Sequence, residues 1–265
     1  MLKLEFKKIK FTNILLVTLI IPLLANAFGL INFMGNREIL THEWQSLWTQ
    51  VSLFYFLFFY IPLIAIVIAS LWASEHKAGL KFIRLSSKKN MDFAIAKIIL
   101  AFIIICLCQI YFLGLFYLGG KFIGGFSSID FDIYIYYTGL SILLALPIIG
   151  IFGALAIRFR SFGIIVLLSS VFTVLGFATA YKALKIIGLS YLAIVANKFS
   201  FINSHDLAIL GIFAMGELII SLYLSNKFLK YENKWFLKDH YKKWIRICHK
   251  FTKKLTPYSE RTPKS

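Results

Sequence analysis

Side chains able to do chemistry inside this 265-residue chain are few and scattered. Glu217, in AILGIFAMGELIISLYL, is the one acidic residue deep within an apolar run. A carboxyl group there is costly unless it faces protein or a water-filled cavity. It is therefore a candidate for a transport role, with a structural hydrogen-bonding role as the even alternative. One carboxylate without a charged companion in the membrane gives little to a proton-driven carrier. Cys106, Cys108 and Cys248 make neither an even disulfide set nor a CxxC pair. No GxxxxGK[ST] phosphate loop, HExxH, Cys/His metal spacing or GxSxG turn occurs in the sequence. The chain thus has no recognisable nucleotide or metal site of its own, and no metal is expected.

The elements that must position these residues are set by an apolar composition. Hydrophobic residues make up 59% of the chain and charged residues only 15%, against roughly 45–50% and about 25% in a soluble domain. A membrane-spanning helix needs about 20 mostly apolar residues to cross about 30 Å of hydrocarbon. Six stretches qualify: Asn13 to Phe33, Val51 to Trp72, Ile95 to Leu118, Ile133 to Ile157, Phe162 to Tyr181, and Leu207 to Leu224. Inside lipid each backbone amide must bond within its own segment, so these read as helices despite their many Ile, Val and Phe residues. The fold class expected is an all-α membrane protein of six transmembrane helices, residues 13–226.

Direction follows from the basic residues, which accumulate in cytoplasmic loops. With the amino terminus inside, the inner set is Lys3, Lys7, Lys8 and Lys10, six residues from Lys77 to Lys97, Arg158 with Arg160, and twelve from Lys227 onward. Only Arg37, Lys121, Lys182, Lys185 and Lys198 fall outside. Both termini are therefore expected in the cytoplasm. The formal net charge of +17 sits between apolar runs rather than on one folded face, which argues against a nucleic-acid partner. Ala25-Asn26-Ala27 after a basic start has the form of a signal cleavage site. The apolar run continues to Phe33, and that favours a retained first span.

Between the spans, residues 1–12 place Leu2, Phe6 and Ile9 on one face, as in a short interfacial helix or a plain positive anchor. The cytoplasmic segment 74–94 carries Leu80, Ile83 and Leu85 among basic residues. It reads as a solvated basic loop or as an amphipathic helix offered to a soluble partner. Trp44 and Trp48, four apart, match an outer interfacial anchor. Segment 182–205 is apolar but too short to span and is interrupted by Gly188, as in a re-entrant or interfacial hairpin. The tail, 227–265, holds twelve basic and three acidic residues with Tyr231, Trp235, Phe236, Tyr241 and Trp244. Its first part suits anionic lipid, each nearby cation contributing about 1 kcal/mol. Small residues Gly150, Gly153, Ala154, Gly211 and Gly216 permit close helix packing or dimerisation.

The run from WQSLWTQVSLFYFLFFYIPLIAIVIASLWASEHKAGLKF to AIAKIILAF resembles the permease subunits of type-2 ABC transporters, within the group that protects Gram-positive bacteria from lantibiotics. In that family a glutamate follows the second span, as Glu75 does, and a lysine opens the third, as Lys97 does. The resemblance implies a type-2 ABC permease fold in the bacterial cytoplasmic membrane. It also implies that Glu75, His76, Lys77, Leu80, Ile83, Arg84 and Lys88 belong to a coupling element that docks on a separate ABC ATPase, which binds ATP and Mg. Relatives commonly carry a proline where Leu85-Ser86-Ser87-Lys88 stands here, so the end of the coupling helix is left open. Two permease subunits, identical or paired with a sister protein, would expel an amphipathic cationic peptide, and the chain itself would be no enzyme. The rival readings are an exporter for endogenous cytolytic peptides or a drug, a stand-alone carrier, and a multi-spanning enzyme. The last suffers from the scarcity of clustered polar groups within the spans.

Overall fold

The computed structural model describes residues 5, 6, 11–78, 80, 90–182 and 184–255, with side chains for 5, 6, 14–78, 80, 90–182 and 184–231. All regular structure among them is helical. The elements are α1 (Phe11–Gly35), α2 (Glu43–Ser52), a π-helical stretch (Leu53–Phe59), α3 (Tyr60–Lys77), α4 (Asn90–Leu118), a π-helical turn (Gly119–Gly124), α5 (Asp132–Arg158), α6 (Phe162–Tyr181), α7 (Gly188–Val195), a 3-10 turn (Ala196–Lys198) and α8 (Ser204–Leu255).

Six helices are long and apolar enough to cross a membrane: Ile14–Gly35, Glu43–Lys77, Asn90–Gly124, Asp132–Arg158, Phe162–Tyr181 and Ser204–Tyr231. The chain is a multi-pass integral membrane protein. The start of the second span lies beside the end of α4, Trp44 against Phe116, and its end beside the start of α4, Glu75 against Lys97, so the bundle has a Glu75 end and a Trp44 end. The second span and α5 are the most buried and form the centre, while Ser204–Tyr231 is the barest. Its Ile212, Met215, Ile219 and Tyr223 face away from the protein, as lipid permits.

Local sequence explains several of these helices. Pro22 lies inside α1 and removes one backbone donor. The Thr18 carbonyl four residues earlier accepts instead from the Cys108 thiol of α4 at 3.2 Å, which is how a membrane protein tolerates such a proline. Helix α8 approaches α5 at Gly150, where a Cβ would stand 2.2 Å from Ser221 Oγ. A small residue is needed at that crossing.

Two boundaries differ from the sequence expectation. The helix that carries the second span begins at Glu43, about two turns before Val51, and runs through the π-helical stretch without a break. Aromatic packing supplies the reason: Trp44 and Trp48 are buried against other side chains of the bundle. Trp44 lies edge-on to Phe116 at 5.6 Å, and Trp48 meets Phe116 and Tyr134 at 5.2 and 5.1 Å. Helix α8 also runs on beyond the apolar run that ends near Leu224, to Leu255.

Segment 182–205 folds into α7 and the 3-10 turn. Gly188 opens α7 instead of interrupting it, because its α-carbon sits against Leu144 and Leu210, leaving a Cβ 2.9 Å from one Leu144 methyl. Every residue of α7 but Ile194 is buried. Lys185 pairs with Asp206 at 2.5 Å and lies 5.6 Å from the Tyr191 ring, pinning the segment to the start of α8.

Candidate coupling site at the Glu75 end

Three charged side chains from distant parts of the sequence meet where α3 ends. Lys97 lies about two turns into α4, with only 2% of its side chain exposed. Its ammonium group donates to the Leu71 carbonyl at 3.0 Å and pairs with the Glu75 carboxylate at 3.5 Å. It also contacts the carboxylate of Glu5, directly. The ammonium lies 5.4 Å from the Trp72 ring centre, within cation–π range. A lysine removed from water is tolerable only when its charge is matched and its protons are used, and this arrangement does both.

Helix α3 is fastened beside that cluster. His76 Nε2 and the Ala156 carbonyl are 2.5 Å apart, tying α3 to the end of α5. The Leu80 N–H donates to the Glu75 carbonyl at 2.8 Å. Leu80 itself is buried and adopts φ 58°, a left-handed conformation that a residue with a Cβ takes at some cost. The chain therefore leaves the membrane end of α3 in an imposed direction. Lys77 is exposed beside it. Ile83, Arg84 and Lys88 lie outside the described residues.

Of the residues read from sequence, the fold brings Glu75, His76 and Leu80 together with Lys97. Glu75 is buried against Lys97 rather than presented on the surface. Glu217 is elsewhere, half-buried on α8, with no hydrogen bond or ion pair among the described residues. Two buried polar residues, only the first of them at this end, escaped sequence reading. Glu5 falls between Leu2, Phe6 and Ile9, and only the three-dimensional contact across 92 positions reveals it. Gln109 sits in the middle of α4, fully buried, and neither side-chain amide atom has a hydrogen-bond partner among the described residues. Beside the π-helical stretch, Tyr55 stacks on Phe112 at 3.9 Å, and the Tyr60 hydroxyl donates to the Ser141 carbonyl at 3.2 Å. π-helical turns concentrate at functional sites, and a polar residue within an apolar run was the available signal.

Residues 1–176 match the model of the ABC-2 family transporter protein. The chain belongs to the ABC-2 transporter family. This ABC-2 chain is the membrane permease subunit of an ABC transporter, non-catalytic, with ATP hydrolysis carried by a separate ATPase. The match covers the first four spans and the fifth as far as Gly176, together with Glu5, Glu75 and Lys97, whereas α7, α8 and Glu217 lie beyond it. No curated protein and no solved structure matches the ABC-2 chain.

Proposed function

We propose that this ABC-2 permease expels lantibiotics or similar cationic amphipathic peptides from the membrane and so protects the cell that makes or meets them. Two copies, or one copy and a sister subunit, work with two ATPases. ATPase closure enters through segment 74–94, which stands on the cytoplasmic side with both termini, and the basic tail rests on anionic lipid.

The observation that carries the coupling role is the buried Lys97–Glu75 pair. It joins α3 to α4 at the point where the chain enters and leaves segment 79–89. A push on that segment moves the ends of both helices as one body, since separating a buried charge pair costs about 3–5 kcal/mol. The substrate class is supported by the likeness of the WQSLWTQ to AIAK region to immunity permeases.

The reading is tested by deleting the gene and measuring growth against a panel of cationic lantibiotics. Increased sensitivity that the intact gene reverses is expected. Unchanged sensitivity to every peptide rejects the immunity assignment while leaving the permease class in place.

A further inference from the structure

An apolar groove of about 440 Å3 runs between α1, the second span and the end of α4. It opens sideways, since Leu23, Ile31, Leu118 and Phe122 on its walls are exposed. Every residue lining it belongs to a membrane-spanning helix, so whatever fills the groove comes from the bilayer.

The walls favour a hydrocarbon occupant. Asn26 is the one polar side chain that lines the groove, and its amide already donates to the Pro22 and Phe112 carbonyls at 2.9 and 3.4 Å. Ordered water needs two to four polar partners, and one amide already in use cannot provide them. Shape then separates a lipid chain from a helix of a second copy. From Leu23 to Ile31 the groove follows α1 for about 12 Å, giving its volume a mean cross-section of about 37 Å2. A helix about 10 Å wide needs about 80 Å2. Gly119 helps keep the passage open, because a Cβ there would stand 2.9 Å from Leu30 Cδ1 across it.

Charge marks where the head of such a lipid sits. At the Trp44 end, Arg37 reaches from beyond α1 to the π-helical turn and donates to the Gly124 carbonyl at 3.0 Å. The same turn carries exposed Lys121, beside Phe122 and Ile123 of the groove wall. Neither cation has a salt-bridge partner among the described residues. Exposed Glu38 follows Arg37, and the three side chains together keep one positive charge. Glu43, Asp130 and Asp132 line a separate cavity of about 700 Å3, at the starts of α2 and α5, that shares no lining residue with the groove.

We propose that the groove holds one acyl chain of an anionic phospholipid from the leaflet at the Trp44 end, with its phosphate on Arg37 and Lys121. Arg37 offers planar, charge-assisted donors that suit a phosphate. Within the bilayer the chain gains packing contacts rather than escape from water, so the cations at the rim supply the selectivity. The site does not depend on what the transporter expels.

The full chain in a neutral maltoside detergent is titrated with phosphatidylglycerol and, separately, with diacylglycerol of the same chains, and bound lipid is counted by native mass spectrometry. One phosphatidylglycerol held more tightly than the rest is expected, and diacylglycerol is expected not to be retained. Arg37→Gln combined with Lys121→Gln should weaken retention roughly tenfold, since each cation at a lipid surface accounts for up to about fivefold. Ala27→Trp, at an exposed position on the wall, fills the groove and is expected to lose the tightly held lipid. Leu143→Trp, at an exposed position on α5 away from the groove, is expected to keep it. Equal retention by the Ala27 or the double variant, or diacylglycerol held as well as phosphatidylglycerol, overturns the site. So does an Ala27→Trp variant that loses a dimer while its lipid retention is unchanged, which would assign the groove to a second copy. These results leave the transport reading untouched, because the sensitivity of the deletion strain decides it separately.

Discussion

At the Glu75 end, Lys97, Glu75 and Glu5 are buried against one another, whereas at the Trp44 end Glu43, Asp130 and Asp132 stand exposed around a cavity with no salt-bridge partner among the described residues. The two arrangements have opposite sensitivities. A buried charge depends on its internal partner, so removing that partner damages the fold. An exposed carboxylate owes the fold little and keeps its capacity for an outside ligand. The Glu75 end holds α3 and α4 together, and it is the end through which we propose that force passes.

The sharpest way to break this contrast is Lys97→Met, which leaves Glu5 and Glu75 buried without their shared cation. A loss of about 3–5 kcal/mol is expected, read as a fall in thermal unfolding temperature or in folded yield after solubilisation. Stability equal to the unaltered chain would show that the cluster is not needed for the fold. Glu5→Gln is milder, because Glu75 stays on Lys97. A loss of about 1.5–3 kcal/mol is expected, the worth of a hydrogen bond to a charged group, and Glu5→Asp should recover part of it.

A buried polar group that lacks a partner provides a control between the ends. Gln109→Leu removes two amide atoms with no hydrogen-bond partner among the described residues. Stability is expected to change by no more than about 1 kcal/mol, in the favourable direction, because a buried unpaired group carries a desolvation cost. A large loss in an unfolding titration would instead reveal a partner for the amide. At the Trp44 end the change should be smallest: Asp130→Asn stays within about 0.5 kcal/mol by the same measurement. A larger effect would mean that this carboxylate is structural.

Much of the bundle was legible in the sequence because hydrocarbon thickness dictates apolar runs of a definite length. Six such runs gave six helices, with α6 at the expected residues. The start of the helix that carries the second span was not legible. Residues 43–50, EWQSLWTQ, are too polar to belong to an apolar run, yet Trp44 and Trp48 bury themselves against α4 and extend the helix outward. Lys97 and Glu75 were visible through the family likeness. Their third partner was not, because Glu5 looks like any acidic residue in a basic leader until the fold carries it to Lys97. The acidic cavity was equally hidden, since its three carboxylates come from segments nearly ninety residues apart in sequence and each has an ordinary local role.

The placement of segment 79–89 against the ATPase is the point on which the coupling proposal stands, and Arg84→Cys reports on it most directly. In a background with Cys106, Cys108 and Cys248 replaced by alanine, the introduced thiol should react with an impermeant maleimide in inverted vesicles and not in intact cells. It should also cross-link to the ATPase subunit when the two are expressed together. Labelling from outside intact cells, with no cross-link to the ATPase, would contradict both the orientation of the bundle and the path proposed for the force.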